Sequence, residues 1–218
     1  MQVTNPKLNS VVKVYVATFN SDVVVGEVEP VIRNEWIQRC TDPNTKRQRY
    51  CVWRLLDYAL QENYGKGVDN FHITVNGGKW NSTDGVRFSL SHCRNIVAVA
   101  VCLDEVGLDL EEVSSFAERV HNASFLGRIL TENEQNLVKS VPNDCKEQIL
   151  AEMWTKKESY YKLSGDTTFV PAHIDTTKIA PHCDILSING EKYALSVATK
   201  TDVESNLTIE LQQVKIKW

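Results

Sequence analysis

Apolar residues recur at two different spacings in the first part of the chain. In residues 11–18, valines alternate with other side chains, which is the period of a half-buried β-strand. In residues 45–63, apolar side chains recur every three or four positions, as they do on one face of an α-helix. Gly65 follows this run and is a typical C-terminal cap. The pattern predicts a strand followed by a long helix.

Three further strands are predicted in the middle of the chain, at residues 87–91, 96–103 and 106–111. Residues 96–103 are almost continuously apolar, which is typical of a strand buried on both faces. Asp104 and Glu105 form a turn between the second and third of these strands. Their short connection suggests that the two strands form an antiparallel hairpin.

The second half of the chain shows the same two spacings. Residues 131–134 have the sequence of a capping box, in which a threonine hydroxyl and a glutamate carboxylate bind free amides at the start of a helix. Another helix is predicted at residues 145–163 and should end at Gly165. Strands at residues 193–199 and 207–216 complete the chain.

Both halves are therefore expected to contain a helix and several strands, which is an α+β fold. Residues 96–101 have a loose counterpart in residues 193–198. No linker rich in proline or glycine divides the chain, so we expect two similar, tightly packed subdomains in a pseudo-twofold arrangement. Their predicted bounds are residues 1–104 and 105–218.

The composition is that of a globular protein and excludes several classes. The chain has 218 residues, of which 42% are hydrophobic and 24% are charged. Its net charge of -4 argues against a general nucleic-acid binder, which needs a basic surface. Its six cysteines include no C-x-x-C pair. With neither a signal peptide nor a membrane-spanning segment in the sequence, we expect a cytoplasmic protein without a membrane partner.

Candidate chemistry lies on one predicted strand and one predicted helix. Asp109 and Glu111 are two residues apart on a strand, so both carboxylates point to one face. Glu158 and Lys162 are four apart on a helix and share one side, with Lys157 adjacent. If these elements meet, three carboxylates would form a site for a hard divalent cation, and the lysines would hold phosphate charge. Taken alone, the same residues also fit a solvated strand face and a surface ion pair.

Three ordered motifs give this arrangement a family resemblance. Gly107-Leu108-Asp109-Leu110-Glu111 resembles the G-[IV]-D-[IVL]-E signature of 4'-phosphopantetheinyl transferases. Residues 154–162 (Trp-Thr-Lys-Lys-Glu-Ser-Tyr-Tyr-Lys) resemble their [FW]-x-x-K-E-[SA]-x-x-K signature, and residues 90–92 resemble the [NP]-[IL]-S-H-S segment upstream. The resemblance spans about residues 46–170. The chain length is similar to that of the surfactin-synthetase-activating (Sfp) type, which is a monomer of two similar halves.

The resemblance implies an activity and a role for each matched residue. The activity is magnesium-dependent transfer of phosphopantetheine from coenzyme A to a serine of an apo acyl or peptidyl carrier protein, a holo-acyl-carrier-protein synthase reaction. The implied metal ligands, for Mg²⁺ or for Mn²⁺ in its place, are Asp109, Glu111 and Glu158. The implied catalytic residues are Glu158, Lys162 and His92, with either Glu158 or a metal-activated water as the base. The implied coenzyme A contacts are Arg47, Lys79, Ser91, His92, Lys157 and Lys162.

Two positions depart from the family pattern, and two alternatives stay open. Trp80 stands where the first family motif often has proline, and Cys93 stands where a second serine is common. The family's carrier-docking surface would correspond to residues 114–128, although most apolar residues there would also fit a core-facing helix stripe. A catalytically silent coenzyme A-binding module and a different magnesium phosphotransferase or nuclease are the alternative functions.

Overall fold

Within residues 11–76, 79–200 and 208–218, which the computed structural model describes, the chain has an α+β fold. The helices are α1 (Val31–Gln38), α2 (Pro43–Tyr64), α3 (Ala123–Ile129), α4 (Glu132–Ser140) and α5 (Asn143–Ser164). The strands are β1 (Val11–Thr18), β2 (Ile73–Asn76), β3 (Lys79–Ser82), β4 (Arg87–Cys93), β5 (Ile96–Cys102), β6 (Val106–Glu112), β7 (His182–Ile188), β8 (Glu191–Thr199) and β9 (Thr208–Gln213). Leu207, predicted to begin the last strand, lies outside the described residues.

The two long helices, α2 and α5, confirm the helical spacing in the sequence. Each has 22 residues and is followed by a glycine in the left-handed conformation, Gly65 with φ 67° and Gly165 with φ 72°. A glycine ends a helix in this way because it has no Cβ to clash at positive φ. At the start of α2, the Asp42 carboxylate accepts a hydrogen bond from the amide of Thr45 at 2.7 Å.

The first sheet has the strand order β4-β5-β1-β9. All residues of β5 are buried, as its continuous apolar sequence predicts. Its residues alternate between two cores. Val97 and its alternate neighbours pack in a core with α2, whereas Ile96 and its alternate neighbours pack in a core shared with the second sheet.

The second sheet has the strand order β6-β8-β7, and all its pairs are antiparallel. Leu108 and Leu110 of β6 enter the core shared with the first sheet. The strand period of two therefore turns Asp109 and Glu111 to the opposite face, where α5 packs. This alternation places both carboxylates against a helix rather than in solvent.

The predicted hairpin of β5 and β6 is wrong. Strand β5 has β4 on one edge and β1 on the other, so neither edge is free for β6. Strand β6 instead leaves the first sheet at the turn and pairs with β8. The short turn was compatible with both arrangements, and the pairing depended on β1, which is distant in sequence.

The division at residue 104 stays a prediction. Each half contains one of the 22-residue helices, and all strands of the second sheet, β6-β8-β7, lie after the division. Across the division, β9 runs parallel to β1 and joins the end of the chain to the first sheet. Among the described residues, no helix has both the length and the apolar composition needed to cross a membrane.

Candidate active site

The buried carboxylate of Asp109 is at the centre of the candidate site. Its residue is 4% exposed, and Oδ1 lies 2.7 Å from the Nζ atom of Lys162 on α5. Lys162 also donates to the carbonyl oxygen of Leu108 at 3.0 Å. Burial of Asp109 excludes a solvated strand face, and Lys162 forms its ion pair with the strand rather than on the helix surface.

Glu111 lies next to Asp109 and is held from two sides. The indole Nε1 of Trp154 donates to its Oε1 at 3.3 Å, and the thiol of Cys93 contacts its Oε2 at 3.7 Å. Trp154 is on α5 and Cys93 is on β4, so Glu111 is enclosed between a helix and a strand. Trp154 is therefore a direct neighbour of a candidate metal ligand in addition to packing its helix.

Electrostatics show that Glu111 and Glu158 share the region of Asp109. Burial, and then the charge of Asp109, raise the pKa of each glutamate to about 7. The Lys162 ammonium opposes both shifts, and Glu111 raises the pKa of Glu158 further. Buried like charges of this kind favour protonation unless a cation neutralises them. The site therefore has a deficit of positive charge that one lysine does not remove.

The residues fit a hard divalent cation in donor type and charge. Carboxylate oxygens are the ligands that magnesium and manganese prefer. Asp109 Oδ2 is buried and has no hydrogen-bond partner within the described part of the chain, so a lone pair is available for a ligand bond. The side chains do not form a closed ligand set as they stand, because residues 11–76, 79–200 and 208–218 contain no cluster of three or more metal-binding side chains close enough to hold an ion. The assignment of Asp109, Glu111 and Glu158 as metal ligands stays a prediction.

A cavity of about 340 Å³ opens beside these carboxylates. Its walls carry the cationic side chains Arg33, Lys79 and Lys162 and the aromatic side chains Trp36, Trp80 and Tyr161. Cationic groups next to flat aromatic surfaces suit a ligand that has both phosphates and a planar base.

Arg33 and Trp36 of α1 also line the cavity, although neither was predicted from the sequence. The guanidinium carbon of Arg33 lies 4.4 Å from the ring centroid of Trp36, 4.5 Å from that of Trp53 and 4.9 Å from that of Trp80. Burial, and then the nearby Arg49, lower the pKa of Arg33 to about 9, which leaves it charged at neutral pH. The three rings come from separate elements, so only the i, i+3 spacing of Arg33 and Trp36 was visible in the sequence.

Three of the predicted coenzyme A contacts lie at the cavity. Lys79, His92 and Lys162 all contribute to its wall. His92 is an exposed residue, but partial desolvation by the surrounding protein atoms, and then the Lys162 ammonium, lower the pKa of its imidazole, which is neutral near pH 7. Lys79 forms an ion pair with Glu105 at 3.6 Å. These placements are compatible with phosphate contacts from three directions.

Arg47 and Ser91 do not line this cavity. The guanidinium of Arg47 donates to the side chain of Asn44 within α2 at 2.5 Å. Ser91 is 6% exposed, and its hydroxyl contacts the Asp109 carboxylate at 3.0 Å instead. The structure therefore places Ser91 beside the carboxylates rather than at the cavity.

Lys157 is also outside the cavity, because its ammonium is fully engaged elsewhere. It is 0% exposed and donates to the Glu134 carboxylate at 2.6 Å and to the carbonyl oxygens of Ile129 and Pro171 at 2.7 and 2.9 Å. Three acceptors match the three protons of an ammonium group. Lys162 is five residues further along α5. Residues three or four apart share a helix face, so Lys157 and Lys162 lie on different faces, and only Lys162 faces the site. The structure gives Lys157 a structural role in place of the expected coenzyme A contact.

Glu134 links this buried lysine to the capping box predicted at residues 131–134. The amide of Thr131 donates to Glu134 Oε2 at 2.8 Å, and the Thr131 hydroxyl accepts from the Glu134 amide at 3.3 Å, which confirms the box. Glu134 Oε1 accepts from the amide and hydroxyl of Thr176 at 2.9 and 2.7 Å. The pair of Glu134 and Lys157 thereby connects α4 and α5 to residues 171–176. These residues end the segment after α5, and residues 165–167 at its start line the cavity.

The large apolar side chains of the segment predicted as a carrier-docking surface pack inward, whereas most of its other residues are exposed. Phe116 is 0% exposed and Val120 is 7% exposed, and both belong to the core beneath α5. Phe125 and Leu126 pack against that core, and the Arg119 guanidinium lies over the rings of Phe116 and Phe125. The core-facing alternative therefore holds for Phe116 and Val120.

Comparison with known proteins connects this geometry to a family. Residues 105–208 match the sequence model of the 4'-phosphopantetheinyl transferase superfamily. The chain is 36% identical over 85 residues, 38% of its length, to the 4'-phosphopantetheinyl transferase HetI of Nostoc sp. (strain PCC 7120 / SAG 25.82 / UTEX 2576). It is 29% identical over 86 residues, 39% of its length, to the 4'-phosphopantetheinyl transferase gsp of Aneurinibacillus migulanus. The matched part of the chain covers 34% of the length of each relative.

Proposed function

We propose that this chain, whose residues 105–208 match the sequence model of the 4'-phosphopantetheinyl transferase superfamily, transfers the phosphopantetheine arm of coenzyme A to a serine of an apo carrier protein. The observation that carries the proposal is the buried Asp109, paired with Lys162 and coupled to Glu111 and Glu158 at the edge of a cationic cavity. A carboxylate cluster next to cationic walls suits a phosphate ligand held with a divalent metal.

Coenzyme A would bind in the cavity with its phosphates toward the cationic side chains. Lys162 lies at the boundary between carboxylates and cavity, so its ammonium can contact an anionic group there while still paired with Asp109. Lys79 and Arg33 add positive charge along the wall, and neutral His92 can donate one hydrogen bond. Trp36 and Trp80 offer flat surfaces for the adenine ring.

The reaction would be displacement at the β-phosphorus of the pyrophosphate. The carrier serine loses its proton, its oxygen bonds to phosphorus, and adenosine 3',5'-bisphosphate leaves with the electrons of the broken P–O bond. We assign the proton to Glu158, either directly or through a metal-activated water that it orients, because its carboxylate interacts electrostatically with Asp109 and Lys162 beside the cavity. Magnesium, or manganese in its place, would neutralise pyrophosphate charge when held by Asp109, Glu111 and Glu158.

A holo-acyl-carrier-protein synthase needs a surface that receives the carrier beside the cavity mouth. Arg119 and Arg128 follow β6 in sequence, and Arg128 is exposed on α3, so positive charge is available near the site for an acidic carrier. We propose an acyl or peptidyl carrier protein as the partner and a monomer as the active form.

The test is a mass measurement on candidate carriers. The protein is incubated with coenzyme A, magnesium and several apo acyl or peptidyl carrier proteins, and each carrier is then weighed by mass spectrometry. We expect one carrier to gain the mass of the phosphopantetheine arm, and Asp109→Ala to abolish that gain. Unchanged carriers, from a folded protein that still binds coenzyme A, would point to the catalytically silent binding module instead.

A further inference from the structure

Strands β4 and β6 belong to different sheets, yet side chains join them along one edge. The β4 residues at positions 89, 91 and 93 point to the same side, because alternate residues of a strand share a face. Each accepts a hydrogen bond from a β6 amide. The contacts run from the Leu108 amide to Ser89 Oγ at 2.9 Å, from the Leu110 amide to Ser91 Oγ at 3.1 Å, and from the Glu112 amide to Cys93 Sγ at 3.3 Å. These bonds satisfy edge amides that a neighbouring strand would otherwise bind.

Two of these three side chains also contact the carboxylates of the site. Ser91 Oγ donates to Asp109 Oδ1 at 3.0 Å, and Cys93 Sγ donates to Glu111 Oε2 at 3.7 Å. A hydroxyl or thiol has one proton, and the β6 amide already occupies an acceptor position on each. The single proton is therefore directed to the carboxylate, which fixes the orientation of both groups.

This arrangement leaves one oxygen of Asp109 available. Oδ1 accepts from both Ser91 and Lys162, at 3.0 and 2.7 Å. Oδ2 is buried without a hydrogen-bond partner in the described part of the chain. Holding Oδ1 on the β4 side fixes the rotation of the carboxylate and so the direction in which Oδ2 can bind a cation.

We propose that Ser91 and Cys93 are positioning residues for the divalent cation, each fixing one carboxylate of β6 through its proton while its acceptor atom holds the β6 backbone. This inference rests on the proposed function, which supplies the cation. Ser89 is the internal comparison, because it holds the Leu108 amide in the same way and has no carboxylate contact among the described residues. The family pattern's serine at position 93 is replaced here by a thiol, which is the weaker donor.

The same strand also connects the carboxylates to the cavity. Leu90 and His92, which alternate with Ser91 and Cys93 along β4, contribute to the cavity wall. Ser89 also lines this cavity, so a ligand contacting His92 and a cation bound at Asp109 would be positioned by neighbouring residues of one strand. The distance between the two subsites is set by the strand rather than by flexible loops.

The test measures metal affinity directly, with Mn²⁺ as the probe and electron paramagnetic resonance of the free ion as the readout. Wild type is compared with Ser89→Ala, Ser91→Ala, Cys93→Ala and Cys93→Ser in the absence of coenzyme A. Loss of a hydrogen bond to a metal ligand weakens metal affinity by about 10- to 100-fold in known sites. We expect about tenfold or more for Ser91→Ala and a smaller loss for Cys93→Ala. Cys93→Ser should stay close to wild type.

Ser89→Ala controls for the loss of a strand contact. It should lower thermal stability no more than Ser91→Ala does, because Ser91 makes a second hydrogen bond, to Asp109, and it should leave Mn²⁺ affinity close to that of wild type. If Ser89→Ala and Ser91→Ala bind Mn²⁺ equally well and Cys93→Ala binds it as wild type does, the inference is overturned. The proposed metal site would be unaffected by that result. A folded wild-type protein that binds no Mn²⁺ would instead overturn the metal site of the proposed function. If Ser91→Ala does not fold, the comparison of Cys93→Ala with Cys93→Ser decides the question, because it changes only the thiol.

Discussion

The carbonyl oxygen of Ser159 lies so close to Gly107 that a Cβ atom added at residue 107 would come within 1.8 Å of it. The same Cβ would lie 2.7 Å from the backbone nitrogen of Leu163. Helix α5 therefore rests directly on the backbone of β6. Because Asp109 is on the strand and Glu158 and Lys162 are on the helix, this contact sets the distances within the candidate site.

Substitution of Gly107 by alanine should destabilise the protein strongly. The added methyl group would meet backbone atoms, which cannot move aside as the end of a side chain can, so α5 must shift away from β6. Overpacking of a core typically costs about 1–3 kcal/mol, and we expect a loss at or above the upper end. Urea unfolding at pH 7 measures the loss, and Mn²⁺ affinity should fall in parallel because the carboxylates separate.

Gly127→Ala is the matched control. Gly127 is within α3, and among the described residues a Cβ added there would meet no heavy atom within 4 Å apart from its chain neighbours and the backbone of its own helix. Alanine is the better helix former by up to about 1 kcal/mol, so this variant should be as stable as wild type or more stable. Equal stability of the two glycine variants would contradict a close contact between α5 and β6.

Removal of the Lys157 ammonium should destabilise the protein without any direct effect on the three carboxylates of the candidate site. Lys157→Met leaves the buried Glu134 without its cation, and breaking a buried ion pair costs about 3–5 kcal/mol. Hydrogen exchange of residues 171–176 should increase, because Pro171 loses its donor and Thr176 its fixed acceptor. Lys178→Met, which breaks a pair whose lysine is 76% exposed, should cost less than about 1 kcal/mol.

The pair of Glu134 and Lys157 also predicts a pH dependence. Burial opposes ionisation of Glu134, but hydrogen bonds from Lys157, Thr176 and Thr131 together lower its pKa below the ordinary value of 4.5. A lowered pKa in the folded state contributes stability above the unfolded pKa, and this contribution is lost as pH falls through the folded pKa. The difference in unfolding free energy between wild type and Glu134→Gln should be constant above about pH 5 and should shrink toward pH 3. A difference that stays constant down to pH 3 would contradict the assignment.

Local signals in the sequence were sufficient for the elements that carry the site. The helix that bears Glu158 and Lys162, its glycine cap and the capping box at Thr131 all depend on spacings of a few residues. Asp109 and Glu111 point to the same face because alternate residues of a strand share a face. The burial of β5 follows from its apolar composition. Such features need no knowledge of distant residues.

Features set by distant residues were not predictable in this way. The pairing of β6 was wrong because β1, from the start of the chain, occupies the second edge of β5. The sequence could not show that Lys162 faces the site and Lys157 does not. The acceptors of the Lys157 ammonium are on Ile129, Glu134 and Pro171, which lie in three separate segments. The role of Ser91 likewise depends on a contact between sheets.

The aromatic cage around Arg33 gives a final prediction, on ligand binding. Arg33 is 2% exposed among three tryptophans, of which Trp36 and Trp80 also line the cavity. Coenzyme A entering the cavity should therefore change tryptophan fluorescence, and titration of that signal gives its dissociation constant.

Arg33→Met removes a buried positive charge and the contact that holds the rings, so we expect the affinity for coenzyme A to fall by about tenfold or more, as for loss of a charge-assisted hydrogen bond. Arg39→Met at the end of α1, where the arginine side chain is 79% exposed, should leave the dissociation constant unchanged. Similar affinities for the two arginine variants would show that the ligand does not bind at this wall of the cavity.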